Sequence, residues 1–189
     1  MSALVLVGAP GTGKTSVVGE LARLGWNAAD AGAVAATMRA LTVEDLYLLT
    51  DTDERQRMLA QVLETLLDDI EAAPEARWGL AVPSEGLGES VDDDGPFASI
   101  RQRLRASSCV VVHLTADLST LMTRNGLIGP RSATLVMPRK ELRSMLERRL
   151  SLYDAVATHT YDTTSYSVQE VVQALISLIS HEKGEGYLL

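Results

Sequence analysis

Residues 8–15 of the chain read Gly8-Ala9-Pro10-Gly11-Thr12-Gly13-Lys14-Thr15. This stretch matches G-x-x-x-x-G-K-[ST] at every fixed position, which is the pattern of a phosphate-binding loop. An apolar run at 4–7 precedes it, and a segment with helical spacing of apolar residues follows it. A strand, a glycine-rich loop and a helix in this order are the context that the motif requires, so we expect a nucleotide site here.

Each residue type in the motif has a chemical reason. Glycine lets the backbone approach a phosphate closely and turn several N–H groups towards it, and the following helix adds the positive end of its dipole. We expect Lys14 to reach the β- and γ-phosphates and Thr15 to bind the metal, so the predicted ligands are ATP and Mg²⁺. The predicted nucleotide-binding residues of the loop are Gly8, Gly11, Thr12, Gly13, Lys14, Thr15 and Ser16. The alternative, an ordinary glycine-rich turn, gives no reason for a lysine at the start of a helix.

Length and charge limit the possible functions. The chain has 189 residues, enough for one domain with a full core, and we predict a single domain over 1–189. Its formal charge of −8 argues against nucleic acid or an anionic membrane as a partner. No apolar run approaches the ~20 residues that cross a bilayer, and no secretory signal is recognisable. With Cys109 as its only cysteine, the chain is expected to be cytoplasmic, as a monomer or a weak homodimer.

Predicted strands and helices alternate along the chain, which favours a parallel sheet covered on both faces. The predicted strands are 4–7, 26–30, 78–82, 109–114 and 159–162. The predicted helices are 14–24, 32–49 with a break near 41–42, 52–71, 97–106, 117–124, 139–157 and 167–181. Residues 126–137 have no clear period and are predicted to form a loop. That loop lies in a basic segment, 124–149, which suits a polyphosphate or carboxylate ligand, although ordinary charge scatter on a helix face is an alternative.

The chain resembles the shikimate kinase family of small P-loop kinases over nearly its whole length. The phosphate loop continues as Val17-Val18-Gly19-Glu20-Leu21-Ala22, and Asp30 matches the first acid of the family's D-x-D. Further on, Arg149-Leu150-Ser151-Leu152-Tyr153 is similar to the family's R-x-P-L-Y segment. The resemblance implies an α/β, three-layer P-loop kinase fold. Its parallel sheet would have five strands in the order 2-3-1-4-5, with helices on both faces and a lid at 126–137.

The resemblance also implies roles for single residues. Asp30 would help Thr15 to hold Mg²⁺, and Arg131 would be the lid arginine over the ATP phosphates. Lys14, Arg131 and Asp30 would then be the catalytic residues. Arg124 and Tyr166 would border the adenine. Arg149 would bind a substrate carboxylate.

The departures from the family pattern fall on the acceptor side. The second acid of D-x-D is replaced by Gly32, and the family's Gly-Gly-Gly by Ser84-Glu85-Gly86. Arg57 is the nearest candidate for the family's second carboxylate-binding arginine. The predicted substrate-binding residues are therefore Arg57, Gly86 and Arg149, and the acceptor half of the site is expected to be altered.

Two functional hypotheses follow. In the first, the chain transfers the γ-phosphoryl group of ATP to a hydroxyl of a small metabolite. We expect this metabolite to bear a carboxylate, as shikimate does. In the second, it is a non-catalytic nucleotide-binding paralogue that acts as a sensor or a partner-binding module. A mechanical or GTP-switch NTPase is disfavoured, because no guanine-reading N-K-x-D is apparent.

Overall fold

The computed structural model describes residues 2–92, 94–125 and 139–182. Its strands are β1 (Ser2–Gly8), β2 (Asn27–Asp30), β3 (Arg77–Ala81), β4 (Val110–Thr115) and β5 (His159–Asp162). They form one sheet in the order β2-β3-β1-β4-β5, and every neighbouring pair is parallel. The predicted fold class and strand order are confirmed.

The helices also follow the predicted pattern. They are α1 (Lys14–Arg23), α2 (Ala31–Met38), α3 (Val43–Leu49), α4 (Thr52–Ala72), α5 (Ala98–Ala106), α6 (Leu118–Arg124), α7 (Arg139–Val156) and α8 (Val168–Glu182). The predicted break near 41–42 separates α2 from α3, where the Thr42 hydroxyl accepts a hydrogen bond from the Asp45 amide. Within the described ranges, no helix combines the length and the apolar character that a bilayer crossing needs.

Alternating side chains of β1 build a core on each face of the sheet. Leu4 and Leu6 pack with α1 and α8, whereas Val5 and Val7 pack with α2 to α5 and α7. All four side chains are fully buried. A strand that is buried on both faces has apolar residues at successive positions, which explains why polar and apolar residues do not alternate over 4–7.

The parallel arrangement brings chemically active loops to one edge. Because all strands point the same way, the phosphate loop after β1, Asp30 at the end of β2 and the segment after β3 lie at the carboxyl ends of neighbouring strands. The functional site is expected at this edge.

Gly8 offers a test of the strand-to-loop junction. Its φ is +140°, and a Cβ there would lie 2.4 Å from the Leu114 carbonyl oxygen of β4. We expect Gly8→Ala to lower the free energy of unfolding by about 2 kcal/mol or more, through backbone strain and this clash. Thermal or urea unfolding monitored by circular dichroism measures the effect.

The matched control is Gly19→Ala in the middle of α1, where nothing lies within 4 Å of the added Cβ. This change should raise the free energy of unfolding by about 0.5 to 1 kcal/mol, because alanine suits a helix better than glycine. Equal effects of the two substitutions would contradict the proposed strain at Gly8.

Candidate functional site

A cleft of about 950 Å³ opens at the carboxyl edge of the sheet. The phosphate loop and the start of α1 form its floor. Asp30, Gly32 and Tyr47 line one side with the segment after β3, and Arg149 and residues around Tyr166 line the rest. Its size suits a nucleotide with a small second ligand. Of the predicted site residues, those lining the cleft are Gly11, Thr12, Gly13, Lys14, Thr15, Ser16, Asp30, Arg124, Arg149 and Tyr166.

Side chains hold the carbonyl groups of the phosphate loop. Each carbonyl from residue 8 to residue 12 accepts a hydrogen bond from a side chain. The donors are Lys14 to Gly8 and Ala9, Thr12 to Ala9, Asn125 to Pro10, Arg124 to Gly11, and Thr163 to Thr12. The loop therefore keeps its shape through its carbonyl groups, with the Thr12 amide also donating to the Ala9 carbonyl at 3.4 Å, and its remaining amides are the candidates to bind a ligand.

The start of α1 is a second source of amides. Gly13 is the residue before the helix, with a left-handed φ of 98°, and it provides no side-chain cap. The first turn of α1 contains no acidic residue either. Uncapped N–H groups and the helix dipole together favour an anion at this position.

Lys14 is buried at the base of the cleft. Its Nζ donates hydrogen bonds to the Gly8 carbonyl at 2.7 Å and to the Ala9 carbonyl at 2.9 Å. Burial lowers the pKa of Lys14 to about 8, although the charge of Asp30 partly opposes this shift. Because a bound polyphosphate favours the charged ammonium, its binding will raise this pKa again.

Thr15 and Asp30 provide the oxygen atoms expected for magnesium. The Thr15 hydroxyl donates to Asp30 Oδ2 at 2.6 Å, while Asp30 Oδ1 accepts from the Ala33 amide at 3.1 Å and caps α2. A hydroxyl and a carboxylate fit Mg²⁺, which takes few protein ligands and completes its shell with phosphate and water oxygens. The described residues contain no group of three or more His, Cys, Asp or Glu that could hold a metal ion.

Arg124 and Tyr166 lie at the other end of the cleft. The Arg124 guanidinium donates to the Thr163 carbonyl at 2.8 Å, to its hydroxyl at 3.0 Å and to the Gly11 carbonyl at 3.3 Å. The Tyr166 ring is half exposed and tilted against Tyr161, with ring centroids 5.9 Å apart. An open aromatic face beside a fixed arginine suits a nucleoside base.

The segment after β3 forms the wall on the acceptor side. Ser84 and Glu85 line the cleft, and Gly32 lines it close to them, since a Cβ on Gly32 would lie 3.7 Å from Pro83 Cγ. The Tyr153 hydroxyl donates to the Ser84 carbonyl at 2.9 Å, and burial raises its pKa to about 12. This bond from α7 fixes the wall in place.

Gly86 and Arg57 are not brought to the cleft. Gly86 is buried behind the wall, where a Cβ would lie 2.8 Å from Val82 Cγ1, so packing explains this glycine. Arg57 is exposed on α4, and its Nε donates to the Asp53 carbonyl of the same helix. Neither residue lines the cleft, so the structure gives no support to their predicted role in substrate binding.

Arg55 is the arginine of α4 that sequence reasoning missed. It is buried, and its Nε donates to Glu85 Oε1 at 3.1 Å. The available signal was helical spacing: Arg55 lies four residues before Leu59 and seven before Val62, on the apolar face of the helix. A charged residue on a buried face needs a partner, and Glu85 provides it.

Arg149 lines the cleft and is also paired. One terminal nitrogen of its guanidinium lies 2.8 Å from Glu89 Oε1. Burial opposes the charged form, but the hydrogen bond and the charge of Glu89 outweigh it and raise the pKa of Arg149. Arg131 and the predicted lid, 126–137, lie outside the described residues.

The shifted pKa of Lys14 makes nucleotide affinity depend on pH. Below about pH 8 the ammonium is charged before binding, whereas above it the free protein must take up a proton to bind a polyphosphate. We expect the affinity for ATP to fall by up to about tenfold per pH unit as the pH rises through 8. Isothermal titration calorimetry across this range measures it.

Lys14→Met is the control, because it cannot titrate and should bind weakly at every pH. An unchanged affinity of the unmodified protein across the range would contradict this account of Lys14.

Comparisons with known proteins show which family the chain is similar to. Residues 96–180 match the family model described as "Shikimate kinase". The shikimate kinase of Frankia casuarinae is 31% identical over 93% of this chain and 72% of that protein. The shikimate kinase of Salinispora tropica is 30% identical, and the match covers 93% of this chain and 96% of that protein. Among solved structures, the shikimate kinase from Acinetobacter baumannii in complex with shikimate superposes with a TM-score of 0.68. It is 21% identical, and the match covers 97% of this chain and 96% of that one. On this similarity and on the site that it contains, the chain belongs to the shikimate kinase family.

Proposed function

We propose that this protein transfers the γ-phosphoryl group of ATP to a hydroxyl group of a small acceptor. One observation carries the proposal: the complete phosphate loop, with Lys14 and the Thr15–Asp30 pair, opens into the same cleft as the wall of Ser84 and Glu85. A nucleotide and a second small molecule can therefore meet there. The shikimate kinase relatives support the same reaction class.

Each residue has a definite part in this reaction. The loop amides and Lys14 bind the phosphates, and Lys14 stabilises the negative charge that spreads over the transferred group. Mg²⁺, held by Thr15 and Asp30, would neutralise phosphate charge. Arg131 keeps its proposed role as the lid arginine. Positioning and charge stabilisation provide most of the rate in phosphoryl transfer, so these few groups can suffice.

Shikimate is the reference acceptor, because the relatives are named shikimate kinase and one solved neighbour holds shikimate. We also propose that the chain is cytoplasmic, in agreement with its buried free thiol, Cys109. We further propose that the protein is a monomer or a weak homodimer and that it binds no nucleic acid.

The second candidate is a nucleotide-binding module without turnover. It is favoured by Gly32, which has no side chain to orient an acceptor hydroxyl on its side of the cleft. Tight ATP binding without ADP release from a panel of shikimate, polyols and hydroxy acids would select this candidate over the kinase.

Lys14→Met tests the catalytic role directly. The substitution keeps much of the side-chain length but removes the charge, so we expect kcat/KM to fall by about 100-fold to 1000-fold. Acceptor-dependent ADP release in a coupled assay measures this.

Lys140→Met is the matched control, because Lys140 is exposed on α7 and does not line the cleft. It should leave turnover unchanged. Undiminished turnover in Lys14→Met would contradict the catalytic role of Lys14, and no acceptor-dependent ADP release by the unmodified protein would remove the kinase proposal.

A further inference from the structure

Two glutamates of the segment after β3 pair with the two arginines on the acceptor side. Glu85 pairs with Arg55 of α4 at 3.1 Å, and Glu89 pairs with Arg149 of α7 at 2.8 Å. Each pair joins one negative and one positive charge, so the four groups are neutral together. The acceptor wall therefore contains arginines but presents no net positive charge from them.

Glu85 is held firmly at the cleft surface. Its side chain is 11% exposed and lines the cleft, while its partner Arg55 is 10% exposed behind it. The Arg55 guanidinium also lies 4.8 Å from the ring centroid of Tyr47 and donates to the Thr50 carbonyl. These contacts order the arginine, which in turn orders the carboxylate.

Tyr47 contacts the same carboxylate from α3. Burial raises the pKa of Tyr47, and the charge of Glu85 and a hydrogen bond to it raise it further. The phenol therefore stays protonated and donates to Glu85. With donors from Arg55 and Tyr47, the Glu85 carboxylate is fixed as an anion in the cleft wall.

A carboxylate-bearing acceptor meets two obstacles here. To bind the Arg55 guanidinium it would have to separate that arginine from Glu85, and near the wall it would face the fixed negative charge of Glu85. Breaking a buried pair leaves a charge without a partner, which is strongly unfavourable. Like charges at close range also repel each other more strongly in a partly buried cleft than in water.

A hydroxyl or ammonium group meets neither obstacle. Glu85 retains lone pairs that can accept from either group, since a carboxylate offers about four acceptor sites. Arg149 contributes as well: its Nε is buried and has no hydrogen-bond partner among the described residues. A single N–H suits one acceptor oxygen, such as that of a hydroxyl.

We propose that Glu85 determines the specificity of the acceptor site and selects a neutral or cationic hydroxyl compound over one with a carboxylate beside it. This inference rests on the proposed phosphoryl transfer, because it names the class of acceptor that uses the same cleft. Glu89 has a supporting part, since its negative charge partly offsets the positive charge of Arg149.

Shikimate and its methyl ester form a matched pair of probes, because they have the same ring hydroxyls and differ in one negative charge. We expect the unmodified protein to prefer the ester by about tenfold or more, as one uncompensated charge commonly costs at least 1.4 kcal/mol. Glu85→Gln keeps the shape and removes the charge, so it should shift the ester-to-acid ratio towards the acid by about tenfold.

Two measurements give the ratio independently. Acceptor-dependent ADP release gives it from kcat/KM, and calorimetric titration in the presence of a non-hydrolysable ATP analogue gives it from affinity. Glu64→Gln is the matched control, because Glu64 also pairs with an arginine, Arg103, but does not line the cleft. Its ratio should equal that of the unmodified protein.

Folding of Glu85→Gln is checked by thermal unfolding, because its partner Arg55 is buried. Should it fail to fold, Glu89→Gln takes its place, since the Glu89 side chain is 55% exposed. It is expected to shift the ratio in the same direction. The inference is overturned by a ratio that favours the acid in the unmodified protein, by a ratio that the substitution leaves unchanged, or by binding of neither probe to either protein.

The two proposals fail in different ways. ADP release from both probes at the same ratio in every variant leaves the kinase intact and removes the role of Glu85. A shifted affinity ratio without ADP release from any acceptor supports Glu85 as a selector and removes phosphoryl transfer.

Discussion

The hydrogen bonds that hold the carbonyl groups of residues 8–12 are the constraint on which the site depends. They come from Lys14 and Thr12 within the loop and from Arg124, Asn125 and Thr163 far along the chain. A loop whose amides face a ligand must satisfy its carbonyls elsewhere, since unpaired buried polar groups are costly. The loop obtains the donors from Arg124, Asn125 and Thr163 only when the chain that follows β4 and β5 is in place.

The fold could be predicted largely from local patterns. The apolar run of β1, the helical spacing of α4 and the phosphate motif each depend on neighbouring residues, so the sequence displays them directly. The predicted roles of Lys14 and Thr15 follow from the same motif and that of Asp30 from the resemblance to the family, and the structure brings these three residues together.

The acceptor side could not be predicted in the same way, because it depends on pairings across the fold. Arg57 and Arg55 differ by two positions, and only the packed α4 shows that Arg55 is the buried one. Likewise Glu89 and Arg149 are 60 residues apart in sequence. The charge of an arginine can be read from the sequence, but whether another part of the chain already neutralises it cannot.

The two arginine–glutamate pairs also affect how the empty cleft behaves in a crowded solution of metabolites. A pocket with two bare guanidinium groups would collect inorganic phosphate and small dicarboxylates, and each would have to leave before an acceptor could enter. Glu85 and Glu89 are counterions that belong to the chain itself and never diffuse away. We therefore expect competition from bystander anions to be stronger at the phosphate loop than at the acceptor wall.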